Sequence, residues 1–153
     1  MRITSPAFKE GERVPKQYTC EGPNINPPLA FYEVPQNAKS LVLMVEDPEA
    51  EAKPWVHWLV YNIPAQASGF EEGSIAEGSV QGICNGGTYG YEGPCPPEKP
   101  STYLFKLYAL DIMLDVPANA DRKYVLKEIE GHVVGEATLK GTYPKATRLV
   151  PLD

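Results

Sequence analysis

Apolar residues in this chain fall in short runs, most of them bounded by proline, glycine, asparagine or a charge. Five runs read as strands: "LAFYEV" (29–34), "SLVLMVED" (40–47), "VHWLVYNI" (56–63), "YLFKLYALD" (103–111) and "VVGEATLKGTY" (133–143). They are rich in Val, Tyr, Phe and Leu, side chains that suit a pleated, half-buried surface. "SLVLMV" is apolar at successive positions, so both its faces are covered and it belongs centrally in a sheet. The run 133–143 alternates. Val134, Glu136, Thr138 and Lys140 share one face, and Val133, Ala137 and Leu139 share the other, which predicts a strand with one wet side.

One segment has helical spacing. In "ADRKYVLKEIEGH", Asp121 can cap the start, Val125, Leu126 and Ile129 form an apolar stripe, and Gly131 can end it. It reads as a packing element over one sheet face. The 16 prolines and 13 glycines are spread throughout, which favours short strands joined by turns. Residues 65–102 carry little periodicity. A loop of that length is uncommon inside a compact domain and often functional. There is no internal repeat, low-complexity tract or evident domain boundary.

A chain of 153 residues is read as one domain, 1–153. It can bury about two thirds of its unfolded surface and needs neither disulfide nor metal to fold. The net charge of −6 argues against nucleic acid or an anionic membrane as partner, because phosphate neutralisation needs excess Lys and Arg. A small local anion site is compatible with it. Three cysteines exclude a full disulfide framework and leave one bridge plus one thiol open. There is no CxxC, and His57 and His132 lie far apart, so a structural zinc site is not indicated. No cofactor is expected. The start "MRITSPAFKEGERVP" has no apolar core of signal-peptide type, and no apolar run approaches the ~20 residues of a membrane span. A cytoplasmic protein without an integral membrane segment is expected.

Candidate chemistry begins in "EDPEAEAKPWVHWLVYNIP" (46–64), which sets Asp47, Glu49 and His57 beside much apolar surface. The histidine is either a hydrogen-bonded core group or part of a pocket. If 40–47 and 56–63 are neighbouring strands, Asp47 and His57 share one sheet end, with 48–55 crossing over it. Asp47 could then accept the ring N–H and set its tautomer. In "EGPCPPEKP" (92–100), Gly93 can bring its backbone N–H close to a ligand, and Pro94, Pro96, Pro97 and Pro100 stiffen the path. Such a loop is either an anion cradle offering backbone donors or a proline-rich surface turn. Tyr89 and Tyr91 are either rim phenols or packing residues. Asp47, His57 and Ser101 supply the residue types of a hydrolytic triad, although no G-x-S-x-G elbow occurs.

Four motifs together resemble the phosphatidylethanolamine-binding protein family, in particular its bacterial and archaeal branch, often called Raf kinase inhibitor-like. They are "YTCEGPNINPPLAF" (18–31), "DPEA…WVHWLVYNIP", "GYEGPCPP…YLFKLYALD" and "EGHVVGEATLKGTY" (130–143), in consistent order over nearly the whole chain. The resemblance implies a mainly β fold, an antiparallel β-sandwich with one short C-terminal helix. It also implies a small anion-binding pocket at one end of the central sheet, taking phosphate, carboxylate or phospholipid head groups. By motif position its walls would be Asp47, Pro48, His57, Gly93, Pro94 and Tyr103, with Trp55 on the apolar side.

This sequence departs from the pattern where the family commonly has His-Arg-Tyr: it has Ser101-Thr102-Tyr103. Ser101 still offers one hydrogen bond, but the second pocket histidine and its arginine are missing. Glu49 stands for a common second Asp. Cys20 and Cys95 occupy positions often Cys in the branch, and in a reducing cytosol they are expected to be two buried thiols. The function expected is a small-anion binding module, with a regulatory, kinase-inhibitor-like role among relatives. The alternatives are a hydrolase using His57 and Ser101, and a partner-binding scaffold without a small ligand, for which a homodimer is one form.

Overall fold

The computed structural model describes residues 1–50, 54–96 and 99–144. Among these residues eight strands and one α-helix follow in order, with a single 3-10 turn at Lys16–Tyr18 after the first strand: β1 (Arg2–Thr4), β2 (Leu29–Tyr32), β3 (Ser40–Asp47), β4 (Trp55–Pro64), β5 (Gly69–Phe70), β6 (Val80–Gln81), β7 (Ser101–Leu110), α1 (Arg122–Ile129) and β8 (Val133–Tyr143). They form two antiparallel sheets, a small one ordered β1-β2-β5 and a larger one ordered β6-β4-β3-β7-β8. The five expected strands and the helix are all present, and β1, β5 and β6 are additions. The last three are two or three residues long, too short to carry a period. No described helix is long and apolar enough to cross a membrane.

The larger sheet is covered on both sides. Leu41, Leu43 and Val45 of β3 point into the space between the sheets, against Ile3, Phe31 and Phe70. Val42 and Met44 point the other way, into a second cluster with Val125 and Ile129 of α1. Every residue of β3 is buried, which is why its sequence is apolar without alternation. Asp121 caps α1 by accepting from the Tyr124 N–H at 2.9 Å. Gly131 follows the helix at φ +79°, a left-handed conformation that glycine adopts without strain.

Polar groups on the helix side are paired. Glu46, 1% exposed, meets Lys106 Nζ at 2.6 Å and Arg122 Nε at 2.8 Å, so one carboxylate ties β3, β7 and the first turn of α1 together. In β8 the expected alternation holds from Glu136 to Lys140, where the outward positions are exposed. It fails at the start of the strand. Ala109 pairs with Gly135, but Leu110 pairs with Val133. The bulge at Val134 turns that side chain toward the inter-sheet core and leaves Val133 exposed, reversing the predicted assignment.

Cys20 and Cys95 are joined by a disulfide, with Cα atoms 5.4 Å apart and a sequence separation of 75. This corrects the expectation of two buried thiols. The pairing follows from how loop 91–96 lies on segment 18–24. The Cys20 N–H donates to the Pro94 carbonyl, the Gly93 N–H to Asn24 Oδ1, and the Tyr91 hydroxyl to the Tyr18 carbonyl. Such docking brings the two Cβ atoms within bridging range. Cys84 remains a buried free thiol.

Candidate functional site

β3 and β4 are hydrogen-bonded neighbours, and their register sets Asp47 opposite Trp55 at one end of the large sheet. Just inside that end the register slips. Val45 faces Trp58, whereas Glu46 faces Val56, so His57 is the extra residue of a β-bulge. The bulge has two consequences. Val56 packs on the helix side, while Trp58 packs between the sheets. The backbone and ring of His57 turn toward loop 91–96: the Glu92 N–H donates to the His57 carbonyl at 2.9 Å, and His57 Nδ1 meets the Glu92 carbonyl at 2.7 Å.

A carbonyl oxygen can only accept, so Nδ1 carries the proton and Nε2 is the nitrogen left to exchange protons with a ligand. The expected Asp47–His57 hydrogen bond is not formed, because Glu92 takes the ring N–H. Asp47 instead accepts the Glu49 N–H at 2.9 Å and caps its own turn. Burial pulls the His57 ring below its ordinary pKa. The Glu92 carbonyl and the charges of Asp47 and Glu92 oppose that shift without cancelling it. The ring is neutral at pH 7.

A hollow of about 630 Å³ opens at this sheet end. Asp47, Trp55, His57, Gly93, Ser101 and Tyr103 all line it, so segments far apart in sequence converge there. Pro48 and Pro94 of the expected set are not on its wall. Pro94 is buried with its carbonyl turned to Cys20, and Pro97 lies outside the described residues. Glu49, Ala50, Glu92, Cys95, Pro96 and Lys99 complete the lining. Of these, Glu92, Cys95, Pro96 and Lys99 belong to the loop whose proline content marked it in the sequence.

Tyr103 stands edge-on to His57, ring centroids 5.1 Å apart. Burial raises the phenol well above its ordinary range, so it stays protonated; the nearby Ser101 side chain and Cys95 backbone oppose that shift without cancelling it. Tyr91 packs edge-on against Trp58 and serves the loop, while Tyr89 is exposed and away from the hollow wall.

Loop 92–96 is not the backbone cradle its composition suggested. The Glu92 N–H goes to His57 and the Gly93 N–H to Asn24, while Pro94 and Pro96 have none. Gly93 is glycine for a different reason: a Cβ there would collide with the Tyr18 carbonyl oxygen and stand 3.0 Å from Thr19 Cα. Side-chain donors among the described lining residues include Ser101, Lys99 and, once protonated, His57 Nε2. Carboxylates of Asp47 and Glu49 share the same wall. No hydrogen bond joins Asp47, His57 and Ser101 into a hydrolytic relay: His57 Nδ1 is bound to the Glu92 carbonyl, and Asp47 accepts from the Glu49 N–H. Among the described residues no group of three or more His, Cys, Asp or Glu could hold a metal ion.

Residues 4–144 match the family model described as phosphatidylethanolamine-binding protein. The UPF0098 protein of Methanothermobacter thermautotrophicus is 48% identical over 148 residues, covering 94% of this chain and 98% of the relative. Among solved structures, the phosphatidylethanolamine-binding protein homolog CT736 of Chlamydia trachomatis superposes with a TM-score of 0.91. It is 42% identical, with 95% of this chain and 97% of the other covered. YbcL of E. coli, described as a member of the mammalian PEBP family, gives a TM-score of 0.87 at 30% identity, covering 95% and 98%.

Proposed function

Because the chain belongs to the phosphatidylethanolamine-binding protein family, we propose that its hollow binds a small phosphoryl or carboxylate group, held as the anionic end of a zwitterionic head group. The observation that carries this reading is the mixed wall. Ser101, Lys99 and, once protonated, His57 supply donors, while Asp47 and Glu49 supply acceptors in the same hollow. A free dianion meets repulsion from those carboxylates, whereas a ligand with an ammonium at its far end is matched at both ends. Binding and presentation of such a group is the role, with a regulatory partner downstream. The experiment is calorimetric titration with inorganic phosphate and with O-phosphoethanolamine. The zwitterion is expected to bind several-fold tighter, on the order of 1 kcal/mol; equal affinities would remove the argument for the carboxylate end.

The neutral His57 makes anion binding take up a proton. An anion at Nε2 favours the imidazolium, so the ring's pKa is higher in the complex than in the free protein. Affinity is therefore greatest below the free-protein pKa, itself below 6.5, and falls as pH rises toward the complex pKa. Sulfate keeps a fixed charge across this range. Its affinity should rise by at most about tenfold per pH unit between pH 7.5 and 5.5, and His57→Gln should flatten the slope. Restoring the missing imidazole should also help. Ser101→His is expected to tighten phosphate binding roughly tenfold at pH 6, about the value of one charged hydrogen bond. Indistinguishable affinities would mean that position 101 does not face the anion.

A further inference from the structure

The Cys20–Cys95 disulfide is asymmetrically placed. Cys95 lines the hollow and is partly exposed, whereas Cys20 is 7% exposed and absent from the hollow wall. Of the two sulfur-bearing residues, one is presented to whatever enters and the other is shielded behind it. Thiol–disulfide exchange needs access of a thiolate to one sulfur, and the side attacked decides which cysteine leaves.

We propose that the hollow is a thiol-exchange site, through which a small thiol reaches Cys95 Sγ and opens the clamp between loop 91–96 and segment 18–24. A low-molecular-weight thiolate attacks Cys95 Sγ. The Cys95–S–S–R bond forms, the Cys20–Cys95 bond breaks, and Cys20 leaves as a thiolate that takes a proton from water. A second equivalent of the same thiol attacks the mixed disulfide at the small-molecule sulfur. It releases the small symmetrical disulfide and leaves Cys95 as a thiol, so two small thiols are oxidised for one protein disulfide reduced. Cys84 does not intercept the reaction, being buried and held protonated with its pKa raised to about 11.

The wall also sets which thiol enters. Asp47, Glu49 and Glu92 share the wall with Lys99, the one basic side chain among the described lining residues besides the neutral His57. An aminothiol is thus favoured over an anionic thiol tripeptide. The loop's three hydrogen bonds to segment 18–24 survive exchange, so opening removes a covalent tether from a wall that stays docked.

The test needs no knowledge of the physiological ligand. The folded, oxidised protein is incubated with cysteamine or with glutathione, quenched with N-ethylmaleimide, digested and mapped by mass spectrometry. The expected result is a thiol adduct on Cys95 and maleimide on Cys20. Cysteamine should react faster than glutathione by on the order of 3–10-fold, after each rate is normalised to the guanidinium-unfolded protein. That preference should shrink in 1 M salt and widen in Lys99→Glu. An adduct on Cys20, or exchange that proceeds only at the rate of global unfolding, overturns the proposal. Exchange at Cys95 without phosphate or phosphoethanolamine binding would leave it standing while removing the head-group reading.

Discussion

Gly93→Ala is expected to deform the hollow and to destabilise the protein by roughly 3 kcal/mol, the upper end for an overpacked site. The added methyl group would overlap the Tyr18 carbonyl oxygen and crowd Asn24 Oδ1 and Thr19 Cα. The first and last of these are backbone atoms, so no rotamer change relieves the collision. The Tyr18 carbonyl is further fixed by the Tyr91 hydroxyl at 2.8 Å, and the Asn24 amide is the acceptor of the Gly93 N–H itself. Relief requires loop 91–96 to lift from segment 18–24, against the disulfide that joins them. Lifting breaks the two hydrogen bonds between Glu92 and His57 and releases the ring that they orient. Urea unfolding and sulfate titration of the same sample would show both losses. Gly87→Ala is the control, because its φ is +83° with open space around it. It should cost only about 1 kcal/mol of backbone strain and leave binding intact. Wild-type stability and affinity in Gly93→Ala would mean that the loop does not rest on Tyr18 as described.

The double variant Lys106→Met/Arg122→Met should cost about 3–5 kcal/mol, because it leaves the Glu46 carboxylate buried without a counter-charge. The Glu46 side chain is 2% exposed and both partners are 30% exposed, so water reaches the cations more than the anion and the lower end of that range is expected. Thermal unfolding would show this as a fall of about 6–12 °C for a chain of this size. Either single variant keeps one cation and should lose about 1.5 kcal/mol. Adding Glu46→Met to the double variant should recover most of the stability, since the cost arises from the orphaned charge and not from lost packing. A triple variant no more stable than the double would assign the loss to the Lys106 and Arg122 stems. Glu46 and Asp47 point to opposite sides of β3, so anion binding should survive in whatever fraction remains folded.

The candidate site was legible in part. Asp47 and His57 stood out because polar groups beside so much apolar surface are costly there, Ser101 because it supplies a residue type of a hydrolytic triad, and Tyr103 through the family resemblance alone. The His57 bulge was not legible. Nothing in "WVHWLV" distinguishes a regular strand from one that slips by a residue, because the slip is decided by what packs on each face. Val56 is drawn to the helix side and Trp58 to the inter-sheet core, and only an extra residue between them satisfies both. The ring's partner was misjudged for the same reason, since Glu92 reaches it from 35 residues away. Gly93 was read as a glycine whose N–H can approach a ligand, in a loop that is either an anion cradle or a surface turn; it lines the hollow, but its N–H goes to Asn24 and its missing Cβ lets the loop rest on Tyr18.

What the amino-acid order determined by itself was local and periodic. It set the doubly apolar run that must lie at the centre of a sheet, the half-wet strand at its edge, the Asp-capped helix, and the punctuation that keeps every element short. Those outcomes depend on neighbours a few residues away. The disulfide, the bulge, the hydrogen bond that sets the His57 tautomer and the collision that demands glycine at 93 were decided by tertiary structure. Each joins groups from different elements, at least ten residues apart, and their distance, burial and partners come into being only when the two sheets and the loop close on one another.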